Sequence, residues 1–178
     1  MASVSAKGIS VFPFRIRLGP FTFLLLLAFL FYPNLCVGWQ GKVVGISDGD
    51  TIRVLNEKTP IKVRLCGIDC PEKKPAFWTR AKQVTSDLAF GKVVDVGTAD
   101  TNRYGRTAGI VRLEDGQILN EKIIRAGFAW VYHTYCKRPV CLEWKRLEDE
   151  ARAARQGLWT DKKPVPPWEW RRAKSGSN

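Results

Sequence analysis

Histidine is almost missing from this 178-residue chain: His133 is the only one. That excludes a histidine-centred nucleophile triad and any metal centre built from several imidazoles. Acidic residues are scarce as well, 17 Asp and Glu against 29 Lys and Arg, for a net charge of +12. The first 38 residues contain no acid at all, so residues 39–178 keep 26 cations and all 17 acids, an excess of +9. An excess of that size attracts polyanions and speeds their encounter, although lysines that only keep a protein soluble produce the same number. Internal repeats are absent. There is no sign of disorder either, since 45% of residues are hydrophobic and 26% charged. The length suits one domain with extensions, large enough to bury a core.

The apolar run Phe21–Tyr32 has 12 residues, fewer than the roughly 20 a helix needs to span a bilayer. It follows a basic stretch with Arg15 and Arg17 and precedes Cys36 and Gly38, two small residues at cleavage-site spacing. Residues 1–38 therefore read as an export signal, with an uncleaved membrane anchor as the alternative. Export places the protein in the periplasm or outside the cell. Cleavage after Gly38 leaves four cysteines: Cys66, Cys70, Cys136 and Cys141. An even number in an oxidising compartment favours disulfides. Cys136 and Cys141 close a short loop and are the preferred pair; a four-cysteine zinc site is the competing reading.

Residues 39–160 read as the folded domain and 161–178 as a basic, Pro- and Trp-rich tail. Strands are expected at Trp39–Ile46, Thr51–Leu55, Ile61–Cys66, Lys92–Val96 and Thr107–Leu113. In the third, period two sets Ile61, Val63 and Leu65 on one face and Lys62, Arg64 and Cys66 on the other. A helix is expected from Pro75 to about Phe90, with Phe77, Ala81, Val84 and Leu88 as its buried stripe and Gly91 as its stop. Two more are expected from about Leu119 to Gly127 and from Leu142 to Gln156. The prolines after Trp159 favour an extended, polyproline-like course. Five short strands with about three helices make a β-rich α+β fold, and the five-stranded OB-fold barrel is the natural candidate.

Three stretches carry the chemistry: Ser47-Asp48-Gly49-Asp50-Thr51, Arg64 through Glu72, and Arg103-Tyr104-Gly105-Arg106. Taken singly, each reads as a turn acid or a surface charge. Taken together, two carboxylates at strand ends and a backbone carbonyl offer hard oxygens to calcium. A third carboxylate can accept a proton from attacking water. Two guanidiniums can hold phosphate oxygens and stabilise the charge that builds on them. That is the inventory for metal-assisted phosphodiester hydrolysis.

In these motifs, and in Leu119-Asn120-Glu121, Ile124-Arg125-Ala126-Gly127 and Gly157-Leu158-Trp159, the chain resembles the staphylococcal nuclease family from about Val43 to Trp159. The resemblance implies an OB-fold and calcium-dependent hydrolysis of DNA and RNA to products ending in a 3′-phosphate. By position it implies Asp50 and Asp69 as calcium ligands, joined by the main-chain carbonyl of Cys70, with Asp48 in the outer shell. It makes Glu72 the base and Arg64 and Arg106 the phosphate clamps. Tyr104, His133 and Tyr135 become candidates for substrate contact, the last two by stacking on a base; an aromatic packed beneath the 136–141 loop is the equal alternative. Two departures stand out. Cys70 replaces a threonine, and only Lys73 and Lys74 separate Glu72 from Pro75, a short loop expected to widen access to the site or to change substrate preference. The runner-up function is a nucleic-acid-binding module without catalysis, which the complete polar set disfavours. A monomer with no obligate protein partner is expected, touching a membrane only through an uncleaved amino terminus.

Overall fold

The computed structural model describes residues 38–73, 77–101 and 107–176. The described residues all belong to one compact unit. Residues 1–37 of the expected export signal lie outside the described residues, as do Pro75, Tyr104 and Arg106.

Alternating apolar residues build a closed barrel from β1 (Gly38–Asp48), β2 (Thr51–Asn56), β3 (Thr59–Leu65), β5 (Val93–Thr101) and β6 (Thr107–Leu113). Its neighbours run β1-β2-β3-β6-β5, with β1 also paired to β5. All pairings are antiparallel except β3 with β6. This is the expected OB-type barrel. β1 serves two partners: Gly38–Lys42 pairs with β5 and Lys42–Asp48 with β2, with register shifts at Val43/Gly45 and Ile46/Asp48. Such irregularities bend a strand and help a sheet close on itself. In β3 the period-two expectation holds. Val63 and Leu65 are buried, Lys62 is exposed and Arg64 is half-buried at the rim.

The first helix, α1 (Trp78–Ala89), buries a stripe that shares Ala81 with the expected one but is centred on smaller residues. Ala81, Thr85 and Ala89 are fully buried, while Phe77, Val84 and Leu88 pack around their flanks. Small side chains four residues apart let the helix lie close against the barrel, and the larger residues fill the sides. Gly91, at φ 77°, turns the chain out of the helix as expected. Helix α2 (Leu119–Arg125) buries Leu119, Ile123, Ile124 and the polar Asn120. Asn120 is satisfied at both ends: Val111 N–H donates to its Oδ1 (3.1 Å) and its Nδ2 donates to the Cys66 carbonyl (2.9 Å). Helix α3 (Val140–Ala153) packs on α2 through Trp144 and Leu147. The Cys136–Cys141 disulfide closes the loop before it, so the four-cysteine zinc reading fails for want of two thiolates.

One feature adds a pairing to the sequence reading, in which Phe128–Val131 is a short extended piece, and a second corrects it. A two-stranded ladder joins β4 (Ile68–Asp69) to β7 (Trp130–Val131), pairing Asp69 with Trp130; two residues are too few for a period to show. The tail is not extended throughout. After a 3-10 turn at Gly157–Thr160 the chain forms α4 (Pro167–Ser175), giving four α-helices among the described residues instead of about three. Proline disrupts a helix interior but suits its first turn, where its missing N–H would have no partner. Pro167 occupies that position.

Candidate active site

The β1–β2 hairpin turns at Gly49-Asp50, between the paired Asp48 and Thr51. A Cβ on Gly49 would sit 2.9 Å from the Cβ atoms of both Ala81 and Cys70, so only glycine admits the turn into this crevice. Thr85 of α1 donates its hydroxyl to the Gly49 carbonyl (2.5 Å). Asp50 is then fixed from several sides. Its Oδ2 accepts from Cys70 N–H (2.7 Å), its Oδ1 from the Thr51 hydroxyl (3.0 Å), and its carbonyl from Leu65 N–H (2.8 Å).

Asp69 reaches the same place from β4. Both carboxylates are buried, Asp50 at 5% and Asp69 at 1% exposure, and burying two like charges side by side is costly without a cation. Arg64, at the end of β3, supplies one: Nη2 donates to Asp69 Oδ1 (2.7 Å) and Nη1 pairs with Asp50 Oδ1. Two acids from separate strand ends thus converge on one guanidinium, where the sequence reading sets them on a cation and Arg64 on the phosphate.

Glu72 lies at the mouth, about one-third exposed. Its partner is Arg171 of α4, a residue absent from the sequence-based set. Arg171 Nη1 donates to Glu72 Oε1 (2.5 Å) and Nη2 to Asp69 Oδ2 (2.7 Å). The hydrogen bond to Asp69 raises the Arg171 pKa further above its ordinary value, partial burial opposing and Glu72 reinforcing. An open cavity of about 470 Å³ lies beside this pair, lined by Glu72, Lys73, Trp170, Arg171 and Lys174. The Trp78 ring has the Lys73 and Lys82 ammonium groups 5.7 and 5.5 Å from its centroid, which adds cations near the mouth.

The remaining candidates are more dispersed. Asp48 accepts from the Trp78 indole N–H (3.1 Å). Cys70 is buried, and burial pushes its thiol pKa far up; Arg64 opposes this and Asp69 and Asp48 add to it. Its backbone N–H holds Asp50. His133 and Tyr135 are exposed on the loop after β7, Tyr135 edge-on to Tyr132. Arg106 and Tyr104 fall outside the described residues.

Comparison with known proteins now has a site to bear on. The family model described as staphylococcal nuclease homologue matches residues 62–161. The chain belongs to this family. It is 42% identical to a protein named uncharacterized endonuclease from Escherichia coli O157:H7 over 150 residues, covering 84% of this chain and 96% of the other. It is 43% identical to a protein named micrococcal nuclease from Shigella flexneri over 143 residues, 76% of this chain and 82% of the other. A third relative, protein ParB of Escherichia coli, is 45% identical over 141 residues, covering 75% and 79%. The family match begins within β3, so it takes in Arg64, Asp69, Cys70 and Glu72 and ends before α4.

Proposed function

We propose that this protein is a calcium-dependent nuclease that hydrolyses phosphodiester bonds of DNA and RNA. That it is a hydrolase of the staphylococcal nuclease type follows from its family; the cation, the substrates and the residue roles are our reading. The observation that carries it is the convergence of Asp50 and Asp69 on one cationic group, with Glu72 linked to Asp69 through Arg171.

The donor chemistry fits a hard divalent cation: buried carboxylate oxygens, with no soft ligand required. Among the described residues no three His, Cys, Asp or Glu side chains lie close enough to chelate a metal. In this reading Asp50 and Asp69 would hold the cation through their carboxylates and Cys70 through its main-chain carbonyl, leaving room for water and a phosphate oxygen. When bound, the cation would withdraw charge from the phosphate and orient the ester.

The chain's own groups do the rest. Glu72 takes a proton from the attacking water. Arg64 and Arg106 hold phosphate oxygens and offset the charge that develops in the transition state, leaving the phosphate on the 3′ product. Asp48 orders the outer shell. Tyr104, His133 and Tyr135 contact the nucleotide, and the basic mouth draws in the polyanion. Export, a monomeric state and a membrane contact limited to an uncleaved amino terminus complete the proposal.

The test is cleavage of single-stranded DNA and of RNA by the purified protein with calcium, and again with a chelator. Calcium-dependent loss of both substrates is expected. Binding of DNA without cleavage under any divalent cation would leave only the binding-module reading.

A further inference from the structure

The C-terminal helix brings a cation into the carboxylate cluster, and its seat explains how. Trp168 stacks flat on Tyr132, with ring centroids 5.0 Å apart and planes 4° from parallel, and meets Trp130 edge-on at 6.5 Å. Trp130 is the register partner of Asp69 in the β4–β7 ladder. Arg171 follows Trp168 by three residues, hence on the same helix face about one turn on. Docking the tryptophan therefore aims the guanidinium back at Asp69.

The outcome is full engagement of that acid. Oδ1 accepts from Arg64 and Oδ2 from Arg171, each at 2.7 Å, while the second Arg171 nitrogen takes up Glu72. We propose that Arg171 is a built-in competitor for the divalent cation: α4 docks it across Asp69 and Glu72, and its withdrawal frees both an Asp69 oxygen for the cation and a Glu72 oxygen for the proton of water. This rests on the nuclease reading above.

Of the two arginines, Arg64 gives way only by turning its side chain from the carboxylates toward the phosphate, whereas Arg171 can withdraw together with its helix. Arg64 belongs to the barrel, where its backbone pairs with Thr51 on one side and Ala108 on the other. Arg171 stands on a terminal helix exposed from residue 171 to 176 and anchored through Pro167 and Trp168. Trp168 is the hinge of the device and Arg171 its plug. A competitor docked about nine-tenths of the time weakens apparent cation affinity about tenfold.

The experiment uses the full chain and three variants: Arg171→Ala, Arg171→Lys, and Trp168→Ala, which unseats the helix without touching a carboxylate. Calcium affinity is measured by titration calorimetry, DNA cleavage in parallel, and amide exchange over residues 167–175 with and without calcium. Circular dichroism confirms that each variant is folded. The expected results are calcium binding about tenfold tighter in Arg171→Ala and Trp168→Ala, intermediate binding in Arg171→Lys, and faster exchange of α4 in the native chain when calcium is added. Unchanged or weaker calcium affinity in Arg171→Ala, with cleavage intact in the native chain, overturns this proposal and leaves the nuclease reading standing. A drop in cleavage at unchanged calcium affinity does the same and makes Arg171 a phosphate contact. Failure of every form to bind calcium overturns both.

Discussion

Asp50 and Glu72 stand in one site but are held by opposite means. Asp50 is buried in a two-residue turn and pinned by a backbone amide, a neighbouring hydroxyl and a helix threonine that grips the turn itself. Glu72 is one-third exposed and held by a single arginine 99 residues further along the chain. The difference separates a preorganised half, suited to fixing a cation, from an adjustable half, suited to a group that must exchange a proton. A ligand loses affinity if it wanders, whereas a base needs its partner to give way.

The largest effect should come from the adjustable half and appear in rate alone. Glu72→Gln keeps the shape and removes the proton acceptor. We expect kcat to fall about 10²–10⁴-fold, with stability to urea changed by less than about 0.5 kcal/mol because the group is exposed. A matching loss of stability would show that Glu72 is also structural and would break the contrast.

The preorganised half should respond the other way. Gly49→Ala drives a methyl into the Ala81 and Cys70 Cβ atoms at 2.9 Å, an overpacking expected to cost about 1–3 kcal/mol. Activity should fall along with stability as Asp50 is displaced. A urea midpoint equal to that of the native chain would mean the turn yields easily. A gentler probe is Thr85→Val, which keeps the volume and deletes the hydroxyl that donates to Gly49. About 1 kcal/mol of destabilisation is expected, with calcium affinity weakened in step.

Most of the barrel was legible because its strands alternate and its breaks carry Gly, Asp or Pro. Arg64 could be placed at the rim from parity alone, between buried Val63 and Leu65. The α1 stripe is legible in part: Ala81 is buried and Phe77, Val84 and Leu88 pack on the core, but the face nearest the barrel continues through Thr85 and Ala89, whose small or polar side chains carry no apolar periodicity. The tail departs from the expected extended course because a proline pair ahead of Trp-Glu-Trp-Arg-Arg suits a helix start as well as it suits extended chain. Arg171 could not be found locally: its partners lie 99 and 102 residues away. The one available hint was the three-residue spacing from Trp168, and it acquires meaning only once the β4–β7 ladder, itself too short to show a period, sets Trp130 beside Asp69. Arg106, which the family resemblance makes the second clamp, lies outside the described residues and rests on the sequence.

The smallest effect concerns pH and again belongs to the buried half. The Cys70 thiol has an ordinary pKa of 9.0 and is pushed well above it by burial in the fold. The unfolded chain therefore gives up this proton near pH 9 while the folded chain keeps it. Below pH 9 both states are protonated and Cys70 adds no pH dependence. Above it the unfolded state binds fewer protons, so stability falls as pH rises, by about 1 kcal/mol from this group at pH 9.5. Lysines and tyrosines titrate in the same range, so the readout is a difference: urea unfolding of the native chain and of Cys70→Ala at pH 8 and pH 9.5. The native chain should lose more stability between the two, and native Cys70 should resist thiol reagents at pH 8. Equal losses in the two proteins would mean that the thiol beside Asp50 is accessible to solvent, and the crevice around Gly49 looser than its contacts indicate.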